Sequence, residues 1–348
     1  MNRNLSLDVF RGVLAISVAL GHFFYWTGNS ELYPVSFVYA VDFFFVLSGF
    51  VLTKSIMSDN RKGDAWFICF FERRVLRIFP VYLTCSLAGI ILTRFISELN
   101  PQITLLRAVQ LLFLGQMTGF SDGGNFLNFS SAGVAWSISA EMWAGLIFFP
   151  VVYLLRNHRF VMFAISVTGA LACTVIMNRY APHGMDTTYG QITPFVTGGS
   201  VRCLLGFCYG YIAYYATENY KLKLNFTAAQ IAICTAILAV FFKIRFNTEN
   251  GLLSPMFSAA LIYCFSFDGF LSHKMSGHIS DWTGRLSYSI YMVHPCILCI
   301  FMRYGIQPST LSISVYIVMI IVLSFFLHVF IENPCINAFR KHRPEILD

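Results

Sequence analysis

Charge is what this sequence has least of: 24 Lys and Arg with 17 Asp and Glu make up only 12% of its 348 residues, about half the share of a soluble domain. With 57% of the chain apolar, so few charges cannot clothe a water-soluble globule. Acidic runs, Ser/Gly/Pro tracts and Gly-X-Y repeats are missing as well, which excludes disordered and fibrous chains. The 10 cysteines form no framework: Cys69, Cys85, Cys173, Cys203, Cys208, Cys234, Cys264, Cys296 and Cys299 lie in or beside apolar runs, where a thiol serves as a small hydrophobe. The one C-x-x-C, Cys296 to Cys299, sits inside such a run without a matching pair or His spacing, so no metal is expected.

What the chain does have is long apolar runs, and a bilayer crossing needs about 20 such residues. Runs of that order occupy 7–26, 35–54, 79–97, 133–155, 160–178, 200–217, 225–243, 252–270, 286–304 and 311–331. They predict an all-α fold, a polytopic membrane helix bundle of about ten transmembrane helices. The first run carries Asp8, Arg11 and His22 and lacks a small-residue cleavage site, so it reads as a retained helix rather than a signal peptide. The shorter run 102–117, flanked by Asn100-Pro101 and by Gly119 to Gly124, reads as re-entrant or interfacial. Left uncrossed, it puts 17 of the 24 basic residues on one side and seven on the other, namely Arg94, Arg107, Arg179, Arg202, Lys243, Arg245 and Arg303. The basic side is cytoplasmic by the positive-inside bias, and it holds both termini. That distribution explains the net charge of +7 without nucleic acid. No repeat or linker divides the chain, so a single domain over 1–348 is expected, its motifs within about 5–334 and a short basic tail at 335–348. Asn128 and Asn225 open glycosylation sequons of a kind common by chance.

Ionisable groups inside spans are costly and therefore informative. Arg11 and His22 are eleven residues apart, which on a helix returns them to within about 20° of one face with roughly 16 Å of rise between them. Arg11 near the cytoplasmic mouth suits a phosphate-bearing ligand, or simply reaches for lipid headgroups. His22, farther along the same stripe, suits proton transfer. Glu141 is the lone carboxylate of its helix, one turn from Ser137, and needs a partner such as a catalytic His or a substrate hydroxyl. Asp42 reads as a further substrate-lining group, or as an interfacial carboxylate. Ser287, Tyr291 and His294 form one stripe at i, i+4 and i+7, followed by Pro295, which frees backbone groups. Arg73, Arg74 and Arg77 precede a span, as a topology signal or as a clamp for the phosphates of a cytoplasmic donor.

These same segments resemble the acyltransferase-3 family of integral membrane acyltransferases. Arg11 and His22 match its Arg-x10-His pattern. Phe43 to Phe50, Arg73 to Pro80, the Ser137-x3-Glu141 element, Ser287 to Pro295 and Glu332-Asn333-Pro334 resemble its remaining motifs in order. The resemblance implies an O-acetyltransferase of the bacterial inner membrane that draws on cytoplasmic acetyl-CoA. Its acceptor would be a hydroxyl of a cell-envelope glycan or lipid-linked saccharide, such as O-antigen or exopolysaccharide. It further implies that Arg11, Arg73, Arg74 and Arg77 hold the acyl-CoA phosphates, that the pantetheine arm follows the first-helix stripe, that His22 acts as base and that Glu141 orients it. Some relatives carry a fused extracytoplasmic hydrolase-like domain; without one, transfer is direct or passes to a separate extracytoplasmic partner. A transporter or flippase for a glycan or lipid precursor is the competing reading, since buried charges also mark substrate pathways. Asp122, Asn125, Tyr189 and Gln191 are candidates for sugar contact on the outer loops, and membrane lipids surround the whole.

Overall fold

Asn4 opens the first helix: its side chain accepts from the Leu7 amide at 3.4 Å, while its own amide reaches the Phe265 carbonyl at 2.8 Å. One otherwise orphaned helix donor is thereby satisfied. The structure, a computed structural model, describes residues 4–33, 38–61, 63–96, 105–118, 134–181, 188, 190–223, 225–243 and 251–342. Helix α1 spans Leu5–Trp26, followed by α2 (Val38–Met57), α3 (Gly63–Ile96), α4 (Leu105–Leu112), α5 (Trp136–Leu154) and α6 (Arg159–Tyr180). After them come α7 (Gly198–Asn219), α8 (Phe226–Lys243), α9 (Ser254–Phe265), α10 (Phe270–Lys274), α11 (His278–Arg303), α12 (Thr310–Leu327) and α13 (Asn333–His342). The only strands among the described residues are a short antiparallel hairpin, Gln191–Thr193 against Val196–Thr197.

Each of the ten apolar runs falls on a helix, and the chain is an all-α, multi-pass membrane protein. Among the described residues, α1, α2, α3, α5, α6, α11 and α12 contain stretches long and apolar enough to cross a bilayer, while α8 and α9 are apolar but shorter. Helix α7 is more polar, and it is buried along Cys203, Leu205, Phe207 and Tyr211 by its neighbours, so lipid does not dictate its composition.

Three details refine the sequence reading. Helix α3 starts at Gly63 rather than 79, and its 34 residues extend about 51 Å, well beyond a hydrocarbon core of about 30 Å. Its three arginines therefore ride on the helix instead of lying in a loop before it. The run 102–117 contains only an eight-residue helix, α4, roughly 12 Å long, followed by a turn in which Leu114 adopts φ +52°. That irregular backbone is held inside the protein. The Leu114 carbonyl accepts from Ser139 Oγ and, at 2.9 Å, from Trp143 Nε1, while Tyr82 donates to the Leu111 carbonyl at 2.8 Å. Such satisfaction is the condition for non-helical chain at membrane depth. Finally, the basic tail is helical through α13.

Packing relies on small residues. Helix α1 packs most extensively on α11, and α2 on α7. A methyl group added to Gly12 would come within 2.6 Å of Thr283 Cβ. Gly206 and Gly210, one turn apart on α7, lie directly against Phe45, Val46 and Gly49 of α2, the close approach that small-x3-small spacing permits. One apolar core is built mainly from α1, α3, α11 and α12, and another mainly from α2, α5, α6 and α7. The polar site lies where the two cores meet.

Candidate active site

Five helices converge on one cavity. Arg11 from α1, Ser48 from α2, Arg73, Arg74 and Arg77 from α3, Ser137 and Glu141 from α5, and Ser287, Tyr288 and Tyr291 from α11 all line a space of about 320 Å³, at the lower end of the range for small-molecule sites. Asp59 and Trp66 line its end where α3 begins. Burial alone would raise the Asp59 carboxyl, but hydrogen bonds from the Arg61 side chain at 3.0 Å and amide at 2.9 Å prevail and hold it below the usual carboxylate range.

The four arginines are not equivalent. Arg74 is 6% exposed and Glu141 20%; Arg74 Nη2 donates to the Glu141 carbonyl at 2.9 Å and approaches its Oε1 at 3.4 Å. The guanidinium lies over the edge where the rings of Phe70 and Phe149 meet, 5.7 and 5.8 Å from their centroids, which are 5.7 Å apart. Gly145, one turn beyond Glu141, leaves it room, since a Cβ there would stand 3.3 Å from Nη2. Ser48 Oγ completes the arrangement with a 2.9 Å bond to Glu141 Oε1. Arg11 pairs with Asp8 at 3.5 Å while keeping 22% of its side chain exposed.

These contacts correct the expectation that Glu141 orients His22. The carboxylate is the counter-charge that a buried arginine requires, and Arg74 occupies it.

The imidazoles lie past the other end of the cavity. Ser137 Oγ and the Tyr291 hydroxyl are 2.9 Å apart, and Tyr291 donates to the Val134 carbonyl at 2.8 Å. Three residues on, His294 is fully buried and sits 3.0 Å through Nε2 from His22 Nδ1, the two rings stacked within 12°. Tyr316 donates to the Ala19 carbonyl at 3.2 Å, tying α12 to α1 at this level. His22 is half-buried beside Trp26. Arg11 and His22 thus share a helix but not a chamber: Arg11 lines the cavity, whereas His22 and His294 lie one side chain beyond Tyr291. An arm reaching His22 along an open stripe, as the sequence suggested, is not what the geometry offers.

Asp42 does not line the cavity either. It forms an ion pair with Arg202, Nε to Oδ1 2.6 Å, both side chains wholly buried, with the Arg202 guanidinium 5.7 Å over the Trp136 ring. Arg202, counted above with the seven basic residues of the outer side, is thereby placed inside the bundle. The signal was available: each is an isolated charge, of opposite sign, in an apolar run. Ser48 and Tyr288, which bonds the Ile78 carbonyl at 2.7 Å, were also missed as lining groups. A second buried pair, His328 Nδ1 to Glu332 Oε2 at 2.7 Å, occupies a π-helical turn after α12. Gln191 is exposed on the hairpin, while Asp122, Asn125 and Tyr189 lie outside the described residues. Among the described residues no group of three His, Cys, Asp or Glu could hold a metal ion.

The family model described as an acyltransferase domain, that of acyltransferase-3, matches residues 4–329. The chain belongs to this acyltransferase family. Among the relatives of this acyltransferase, the O-acetyl transferase of Shigella phage Sf6 is 25% identical over 283 residues, covering 72% of this chain and 83% of the phage protein. O-acetyltransferase OatA of Staphylococcus aureus is 23% identical over 354 residues, covering 94% of this chain but 56% of the relative. The chain thus spans little more than half the length of that staphylococcal protein. No solved structure matches it. Family membership agrees with the ordered motifs, and the cavity gathers residues from five of them: Arg11, Ser48, the α3 arginines, the Ser137–Glu141 pair, and Ser287 with Tyr291.

Proposed function

We propose that this protein is a membrane O-acetyltransferase that moves an acetyl group from cytoplasmic acetyl-CoA to a hydroxyl of a cell-envelope glycan or lipid-linked sugar in a bacterial inner membrane. The observation that carries the reading is the single cavity with four guanidinium groups on its wall, ending at hydroxyls one side chain away from a pair of imidazoles. The names of the phage and staphylococcal relatives support O-acetyl transfer. Lys54, near the end of α2, and Arg61, after it, flank Asp59 of the cavity lining in sequence, and basic residues of this kind stay cytoplasmic, which favours cytoplasmic termini and donor.

In this reading Arg11, Arg73 and Arg77 hold the donor's phosphates by charge-assisted bonds. Arg74, clamped by Glu141 and two rings, supplies a fixed positive wall. Phe44, Phe45 and Val41 offer an apolar surface for the pantetheine arm. Acetyl-CoA supplies a thioester; the acceptor oxygen bonds to its carbonyl carbon and the carbon–sulfur bond breaks. His22, half-buried on the far side of Tyr291, takes the hydroxyl proton, and the sulfur leaves as the thiol by taking a proton from water at the cytoplasmic end of the cavity. Ser137 and Tyr291 form the wall between the cavity and the imidazoles, with the Tyr291 proton held by the Val134 carbonyl.

The test is His22→Ala in cells, with acetyl esters on the envelope glycan as readout. The reading expects their loss at unchanged protein level; full acetylation by a well-expressed variant overturns it. Purified wild-type protein given acetyl-CoA should release free CoA thiol, whereas a transporter would release none.

A further inference from the structure

The geometry points to His294 as the residue that fixes which nitrogen of His22 carries the proton, and to Pro295 as the reason it can. This rests on the reading of His22 as the base.

In an α-helix the carbonyl of residue i accepts from the amide of residue i+4. Four residues past Tyr291 is Pro295, which has no N–H, so the Tyr291 carbonyl loses its helical donor inside α11, where no water-exposed surface compensates. A buried carbonyl calls for another donor. His294 Nδ1 is buried with no hydrogen bond of good geometry to any group, and the backbone oxygens it faces are those of Tyr291 and Ile290. A nitrogen set against carbonyl oxygens must carry hydrogen, because two lone pairs repel. His294 is therefore the Nδ1–H tautomer, and its Nε2 presents the lone pair.

That lone pair points at His22 Nδ1, 3.0 Å away. His22 consequently donates from Nδ1, and its own Nε2 becomes the basic nitrogen. The stacking of the rings within 12° and the anchor from Tyr316 to the Ala19 carbonyl hold this alignment between α1 and α11. A carboxylate performs the same orienting task in Ser-His-Asp triads, where the wrong tautomer costs about 10⁴ in turnover. Here a neutral imidazole does it, which avoids placing a charge at a fully buried position. His294 is thus a positioning residue, acting through His22.

The experiment uses the full chain in membrane vesicles that retain their native glycan, given radiolabelled acetyl-CoA. Pro295→Ala restores an amide to the Tyr291 carbonyl and removes the acceptor from His294 Nδ1. Turnover should fall at least tenfold with KM for acetyl-CoA within twofold of wild type, while thermal stability holds or rises, as for a proline removed from a helix. His294→Gln, which keeps a carbonyl able to accept from His22, should retain more turnover than His294→Ala. Nitrogen NMR of histidine-labelled protein should show His22 protonated at Nδ1 in wild type and a mixture in Pro295→Ala. Wild-type turnover by Pro295→Ala and His294→Ala, or a wild-type spectrum with His22 protonated at Nε2, overturns the inference. If His22→Ala is inactive while those two variants run at the wild-type rate, only the tautomer assignment falls; if His22→Ala itself is fully active, the base assignment falls with it.

Discussion

Replacing Asp42 by Asn changes one charge and almost no volume at a position where the structure leaves no escape. Both side chains of the Asp42–Arg202 pair are 0% exposed and meet at 2.6 Å, so the guanidinium keeps its charge away from water when Asp42 loses its own, and Glu141 is already committed to Arg74. With charge centres about 4 Å apart and an effective dielectric near 20, the lost attraction is about 4 kcal/mol, in line with the 3–5 kcal/mol typical when one partner of a buried pair is removed. Replacing both groups together, Asp42→Leu with Arg202→Met, removes the desolvation cost along with the attraction and should come within about 1 kcal/mol of wild type. Denaturant unfolding of purified protein in a single detergent, run as a double-mutant cycle, gives the coupling directly. The reasoning fails if Asp42→Asn alone is as mild as the double replacement, since the charges would then be solvated or paired elsewhere.

Two further substitutions test the packing and the donor wall. Gly210→Ala would force a methyl group to within 2.6 Å of the Phe50 amide nitrogen and onto the α2 backbone; backbone cannot rotate aside, so a loss of about 3 kcal/mol is expected in the same unfolding assay. Arg74→Lys keeps the charge but not the planar fork that contacts Glu141 twice and rests on the Phe70 and Phe149 rings; KM for acetyl-CoA should rise about tenfold or more with the fold intact, read by donor titration in vesicles.

Much of the site could be picked out along the chain. Arg11, Arg73, Arg74, Arg77, Glu141, Ser137, Ser287 and Tyr291 stand out because charge and hydroxyl are rare in apolar runs, and all of them line one cavity. Their partners were harder to see. Glu141 was matched to a His because a buried carboxylate needs a counter-group and several were on offer. Arg202 was counted with the outer side because a span edge is uncertain by several residues, enough to move one charge from the bundle to its surface.

What composition and period settle by themselves is the all-helical, membrane-crossing character; the family is legible only in the ordered motifs. Lipid tolerates only satisfied backbone, and about 20 apolar residues per crossing leave a mark that no packing detail can erase. What only the tertiary structure decided is pairing: Arg74 with Glu141, Asp42 with Arg202, His22 with His294, residues 67, 160 and 272 positions apart. Such distances in sequence carry no periodic signal. They are set by which helix faces meet, and here that depends on glycines that let α1 approach α11 and α2 approach α7.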